Sequence, residues 1–131
     1  MMEYQQKFPC ACCGYKVNDQ PPGYHERCPI CGWEDDLSQL RFADMTGVSN
    51  HVTLVTGQKN FLQYGAAERR NISAARDPGP GEQRDDSWRP IDENKDNIEY
   101  PQSGIDYSVS YPRDPTVLYY WRETYWRRYV S

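Results

Sequence analysis

Two short blocks, Cys10-Ala11-Cys12-Cys13-Gly14 and Cys28-Pro29-Ile30-Cys31-Gly32, constrain this chain more than any other part of it. Each is C-x-x-C-G, and fourteen residues separate Cys13 from Cys28. Cysteines at this spacing bend round one ion, and tetrahedral Zn²⁺ takes four soft ligands, so the pattern is that of a structural zinc site. A glycine after each second cysteine permits the positive φ that turns backbone N–H groups toward the sulfurs. A single pair would also suit a redox couple. Two pairs, each closed by glycine, point instead to zinc held by Cys10, Cys13, Cys28 and Cys31.

Four thiolates fill a tetrahedral shell, so such an ion cannot activate water and is structural rather than catalytic. Cys12 adjoins Cys13, which is poor geometry for chelating one ion, and is expected to be a spare buried thiol. His25, three residues before Cys28, is the alternative donor, with a surface or sheet position as its default. Trp33, just past the second block, stands where an aromatic ring could cover the metal, but is expected to be a packing residue.

A chain of 131 residues has room for one domain, or a small domain with an appendage. Hydrophobic residues make up only 37%, but aromatics reach 14%, and large rings bury much area per residue. Zinc would add on the order of 10 kcal/mol to folding, enough to decide whether the N-terminal half folds. The net charge is −4, and a four-thiolate zinc site adds about two more negative charges. That balance argues against non-specific nucleic-acid binding and suits a basic protein partner. No apolar run approaches the roughly 20 residues of a membrane helix. The first residues lack the apolar stretch of a signal peptide, and clustered thiols without one suit a reducing cytoplasm.

Along the chain, Pro21-Pro22-Gly23 separates the two cysteine blocks, with short strands expected at 15–17 and 24–27. A helix is expected over 53–64, with Thr53 as N-cap, Leu54, Gln58, Phe61 and Leu62 at helical spacing, and Gly65 as the stop. A short extension runs from Ala66 to Arg70. Residues 76–99 carry Pro78-Gly79-Pro80-Gly81 and many carboxylates, and are expected to be a solvated acidic loop anchored by Trp88. Residues 105–111 alternate like a strand. Asp114-Pro115 is a helix start, and Val117, Leu118, Trp121, Tyr125 and Tyr129 would form one face of a terminal helix. This segment, 100–131, is expected to pack on the domain formed by residues 8–75. The fold class is therefore a small α+β protein: a zinc ribbon with short antiparallel strands, then helices.

The run Phe8-Pro9-Cys10-Ala11-Cys12-Cys13-Gly14-Tyr15, with Pro21-Pro22-Gly23-Tyr24 and Cys28-Pro29-Ile30-Cys31-Gly32-Trp33-Glu34-Asp35-Asp36, resembles the bacterial cysteine-rich CPCC domain family. Gly47-Val48-Ser49-Asn50, Thr53-Leu54 and Asn60-Phe61…Tyr64-Gly65-Ala66 extend the resemblance to about residues 8–90. Ala11 stands where the family has proline, and Thr56-Gly57 where its helix usually continues Glu-Ala. Both changes leave every thiol in place. Some such proteins accompany secreted toxin genes, as immunity proteins do, so the resemblance implies toxin neutralisation as an expectation.

No nucleophile–base set is visible, since His25 and His51 are the only histidines, and no phosphate loop is complete. The chain is expected not to be an enzyme. Glu34, Asp35 and Asp36 are expected in the first turn of a helix, stabilised by its dipole. These carboxylates, with Trp121, Trp126 and Arg127, are the candidate partner-binding residues, because aromatics and arginine dominate binding hot spots. A nucleic-acid-binding ribbon is the alternative, and a redox or metal sensor using Cys12 is the third.

Overall fold

The computed structural model describes residues 6–47 and 49–128. Val48 and Tyr129, which entered the expectations above, lie outside them. Phe8–Pro9 forms strand β1 and Lys16–Asn18 forms β2; they pair antiparallel, Phe8 opposite Asn18 and Pro9 opposite Lys16, with an irregularity between. The first cysteine block is the tip of this hairpin. The expected strand at 24–27 is reduced to a single bridge, Arg27 to Glu34, flanking the second block. Its backbone leaves the extended region because Gly23 and His25 take positive φ, 112° and 59°. The Asp35 carboxylate fixes that turn by accepting from the N–H groups of Gly23 and Tyr24 at 2.6 and 2.9 Å.

Helix α1 spans Leu37–Arg41 and α2 spans Leu54–Tyr64. The α2 ends fall where capping chemistry puts them. Thr53 Oγ1 accepts from the Thr56 N–H at 3.0 Å, and Gly65 closes the helix at φ 82°. Leu54, Val55, Gly57 and Gln58 face the core, whereas Leu62 is 56% exposed and does not belong to the apolar face expected of it. After α2 the chain makes a 3-10 turn at Arg69–Asn71, slightly beyond the extension expected at 66–70. Among the described residues no helix is long and apolar enough to cross a membrane.

Residues 76–99 have no regular element and are largely exposed, but they are tied down at several points. Trp88 and Ile98 are buried. Glu82 pairs with Arg76, Asp85 with Arg122, Asp96 with Arg89, and Glu99 with Arg41. The strand expected at 105–111 is instead a 3-10 turn, Tyr107–Val109, because the Asp106 side chain caps it by accepting from the Ser108 N–H. The terminal helix begins where Asp114-Pro115 places it, but as one 3-10 turn, Pro115–Leu118; turns follow. Leu118, Tyr119, Tyr120 and Trp121 are all buried in succession, and an amphipathic helix cannot bury four neighbours at once.

This aromatic segment closes on α1 around a single buried cation. Arg41 Nε and Nη2 donate to the two Glu99 oxygens at 2.9 and 3.2 Å, and Nη2 also donates to Ser110 Oγ at 2.9 Å. The rings of Phe42, Tyr107, Tyr111 and Trp126 stand 4.6 to 5.1 Å from the guanidinium carbon. A planar delocalised cation with a bidentate carboxylate tolerates such burial where an ammonium would not. One core cluster joins Trp33, Leu54, Trp88, Leu118, Tyr119 and the cysteines.

Candidate metal centre

The two cysteine blocks fold into the same knuckle. The N–H of each first cysteine donates to the carbonyl five residues on: Cys10 to Tyr15 and Cys28 to Trp33, both at 2.9 Å. The glycine N–H returns to the first cysteine's carbonyl, Gly14 to Cys10 at 2.7 Å and Gly32 to Cys28 at 2.9 Å. Both glycines sit at φ 82°. The positive φ is needed to close the loop, which is the reason a glycine ends each motif.

The knuckles face each other and interleave their sulfurs. Cys10 Sγ lies 3.7 Å from Cys31 Sγ, Cys13 Sγ lies 3.7 Å from Cys28 Sγ, and all four fall within 4.8 Å of one another. Metal–sulfur bonds of about 2.3 Å in a tetrahedron require S···S edges of about 3.8 Å, so the four can hold one ion. Burial pushes the Cys10 and Cys31 thiols well up, while S–H donation from Cys10, Cys13 and Cys31 holds Cys28 far down. A cation at the centre would favour all four thiolates together.

The internal equivalence also accounts for Cys12. It occupies in the first knuckle the place of Ile30 in the second, and the two are 0% and 1% exposed. Cys12 is therefore a small buried core residue beside the cluster, next to Cys31 but outside the set of four. Gly57 faces it: a Cβ added there would stand 3.4 Å from Cys12 Sγ and 3.1 Å from Cζ3 of buried Trp33. The glycine in α2 thus makes room for Trp33, which is a buried packing residue of the core, as expected.

Each knuckle's carbonyls are taken by donors from elsewhere. In the second, Ile30 O accepts from the Arg76 N–H at 3.0 Å, Cys31 O from the Ala67 N–H at 2.8 Å, and Gly32 O from Arg27 Nη1 at 2.9 Å. In the first, Ala11 O accepts from Trp88 Nε1 and from Gln58 Nε2, both at 3.0 Å. Cys13 O accepts from Arg84 Nε at 3.0 Å and Gly14 O from the Asp85 N–H at 2.8 Å. Of these, Gln58 had a visible signal, an amide on the apolar face of α2. Arg84 and Arg27 had none.

His25 stands outside the sulfur set, exposed, with Nδ1 3.6 Å from a Glu34 oxygen. Glu34 and Asp35 precede α1 rather than forming its first turn, and Asp36 is the N-cap, accepting from the Ser38 and Gln39 N–H groups at 3.0 and 3.2 Å. Burial raises the Asp35 carboxyl above its ordinary value, against the lowering effect of the Gly23, Tyr24 and His25 N–H groups. Trp121 is buried and donates Nε1 to Asp85 at 3.1 Å, the Trp126 ring flanks Arg41, and Arg127 Nε donates to Asn97 O at 3.0 Å. The six candidate partner-facing residues are thus engaged within the chain. Asn50 was not foreseen: it is 1% exposed, donates to Glu34 O and Gln39 Oε1, and accepts from the Glu34 N–H.

These features define a small α+β protein built on a buried four-cysteine cluster that could hold a metal ion. The sequence matches the family described as Cysteine-rich CPCC over residues 8–82, more than half of its 131 residues, and the protein belongs to that family. The match ends short of the resemblance drawn from the motifs, so Arg84, Trp88 and everything after them lie beyond it. Curated proteins include no match to this sequence.

Proposed function

We propose that the ion is zinc, that its role is structural, and that the protein acts by binding another protein. The burial of the four sulfurs carries the first part: Cys10, Cys13, Cys28 and Cys31 are between 0% and 2% exposed. A four-thiolate shell closed to solvent offers no position for water or substrate, which is the arrangement of a structural ion. Zinc suits four soft thiolates in a tetrahedron, and iron is the metal it must be distinguished from.

Two observations favour a protein partner over nucleic acid. Arg27, Arg41, Arg70, Arg76, Arg89 and Arg122 each pair with a carboxylate, so phosphates would have to compete with internal anions. Large apolar side chains stand in solvent instead, among them Tyr24, Tyr100, Ile105 and Val109. With a net charge of −4, such a surface suits a basic partner, and neutralisation of a toxin is the role the family resemblance implies. The test is a native pull-down with metal quantified in the same sample. One zinc per chain and a stoichiometric protein partner are expected. Zinc-loaded protein that recovers no partner, or that shifts nucleic acid at low salt, overturns the protein-binding reading.

A further inference from the structure

We propose that residues 83–88 form a clasp that retains the metal in the first knuckle, with Arg84 as its positioning residue and residues 119–122 as its lock. This rests on the reading of the centre as a zinc site.

The clasp lies along the knuckle backbone. The Lys16 N–H donates to Gln83 O at 2.9 Å, and Tyr15 and Arg84 form an antiparallel bridge. From there Arg84, Asp85 and Trp88 supply donors to the carbonyls of Cys13, Gly14 and Ala11. The Trp88 ring lies so close that a Cβ on Gly14 would come within 2.6 Å of it. The ring thus holds the knuckle backbone at Ala11 and Gly14, on either side of Cys12 and Cys13.

Arg84 brings charge as well as a hydrogen bond. Its guanidinium carbon stands 4.8 Å from both the Tyr15 and Trp88 rings and 5.9 Å from that of Phe61. No carboxylate pairs with it among the described residues, unlike the six arginines named above. A zinc–tetrathiolate centre carries about two negative charges, and a cation fixed beside it favours the loaded form.

The lock comes from the aromatic segment. The Asp85 carboxylate accepts from Trp121 Nε1 at 3.1 Å and Arg122 Nη2 at 3.0 Å. Tyr120 donates to Arg89 O just past the clasp, and Tyr119 donates to Pro9 O at 3.3 Å just before Cys10. Clasp and lock both lie beyond residue 82, where the family match ends, whereas the second knuckle is covered from residues 27, 67 and 76. Clasp and lock act on one knuckle from outside the matched residues, and zinc departs when Cys10 and Cys13 swing out from under them.

The experiment measures zinc transfer from the full-length, zinc-loaded protein to a chromogenic chelator, for the parent and for Arg84→Ala, Arg84→Lys, Arg122→Ala and Arg27→Ala. The absorption of the cobalt-substituted forms reports the ligand set. Arg84→Ala should release zinc roughly tenfold faster or more, the usual effect of losing a group that supports a metal ligand. Arg84→Lys should fall between it and the parent. Arg122 makes no hydrogen bond to the knuckle among the described residues, and Arg122→Ala should also accelerate release. Arg27→Ala should do so less than Arg84→Ala, and every variant should keep a four-thiolate cobalt spectrum. Parental release rates in Arg84→Ala and Arg122→Ala, or an equal effect from Arg27→Ala, would overturn the clasp. If Arg84→Ala does not fold, Arg84→Lys and Arg122→Ala decide the question in the same way. A parent protein that binds no zinc overturns the metal reading itself.

Discussion

The two knuckles are near-copies in backbone and opposites in how they are held. Both close with a glycine at φ 82° and the same pair of hydrogen bonds. The second is capped by main-chain N–H groups of Ala67 and Arg76, together with Arg27 Nη1. The first is capped mostly by side chains, those of Gln58, Arg84 and Trp88. Main-chain donors follow from the path of the chain whatever the residue, so the second knuckle tolerates sequence change around it. The first depends on particular residues, and most of those lie outside the family match. Identical local chemistry can therefore carry unequal dependence on the rest of a molecule.

Loss of a ligand should erase the difference. Cys10→Ser and Cys28→Ser should each remove most of the metal's contribution to folding, on the order of 10 kcal/mol, and abolish a cooperative melt by circular dichroism. If Cys10→Ser kept its ion and its melt because Cys12 had taken over, the equivalence of Cys12 with Ile30 would be broken.

Substitution of the glycines should reveal it. An L-residue at positive φ costs about 1–2 kcal/mol, and displacing packed atoms adds about 1–3. Gly14→Ala meets the root of the buried Trp88 ring at 2.6 Å, whereas Gly32→Ala meets the small Asn71 side chain at 2.8 Å. Gly14→Ala should therefore shift the denaturant midpoint further; equal shifts would mean the two covers yield equally. Trp88→Phe should cost less, about 1–2 kcal/mol for the lost donor and the gap, because Ala11 O keeps Gln58 Nε2.

The smallest effect belongs to the second knuckle's surface. Donation from Arg76, then from the Gly79 N–H, lowers the Glu82 carboxyl to about 2. A depressed folded value contributes stability that is present above the ordinary carboxylate range, about 4.3, and is lost as pH falls toward 2. Both side chains are solvent-accessible, so the loss should be slight, although the titration itself should be clear by NMR. A Glu82 carboxyl titrating at its ordinary value would show that this pair does not steady Arg76.

The centre was legible because metal coordination is written in local spacing, and α2 because Thr53 and Gly65 carry their own capping chemistry. Residues 105–111 misled because alternation implies one buried face, yet Ile105 is 52% exposed and Val109 83%, and a local cap on Asp106 outweighs the pattern. Glu34 and Asp35 misled in the same way, since their charge suits a helix start but the turn at Gly23 claims Asp35 first. Arg84 gave no signal at all. Its partners are spread over Cys13, Tyr15, Phe61 and Trp88, and only the fold gathers them.

The stitch from Tyr119 to Pro9 spans 110 residues, and it orders events in time. On a ribosome adding about 5–20 residues per second, the second knuckle has its complete cover once residue 76 has emerged. The first must wait for Trp88, and its lock for Arg122. For about 0.6–2.4 s of synthesis, between residues 76 and 88, the nascent chain has one covered knuckle and one with only Gln58 to cover it. Capture of the ion and completion of its enclosure are separate steps, with the aromatic segment arriving last.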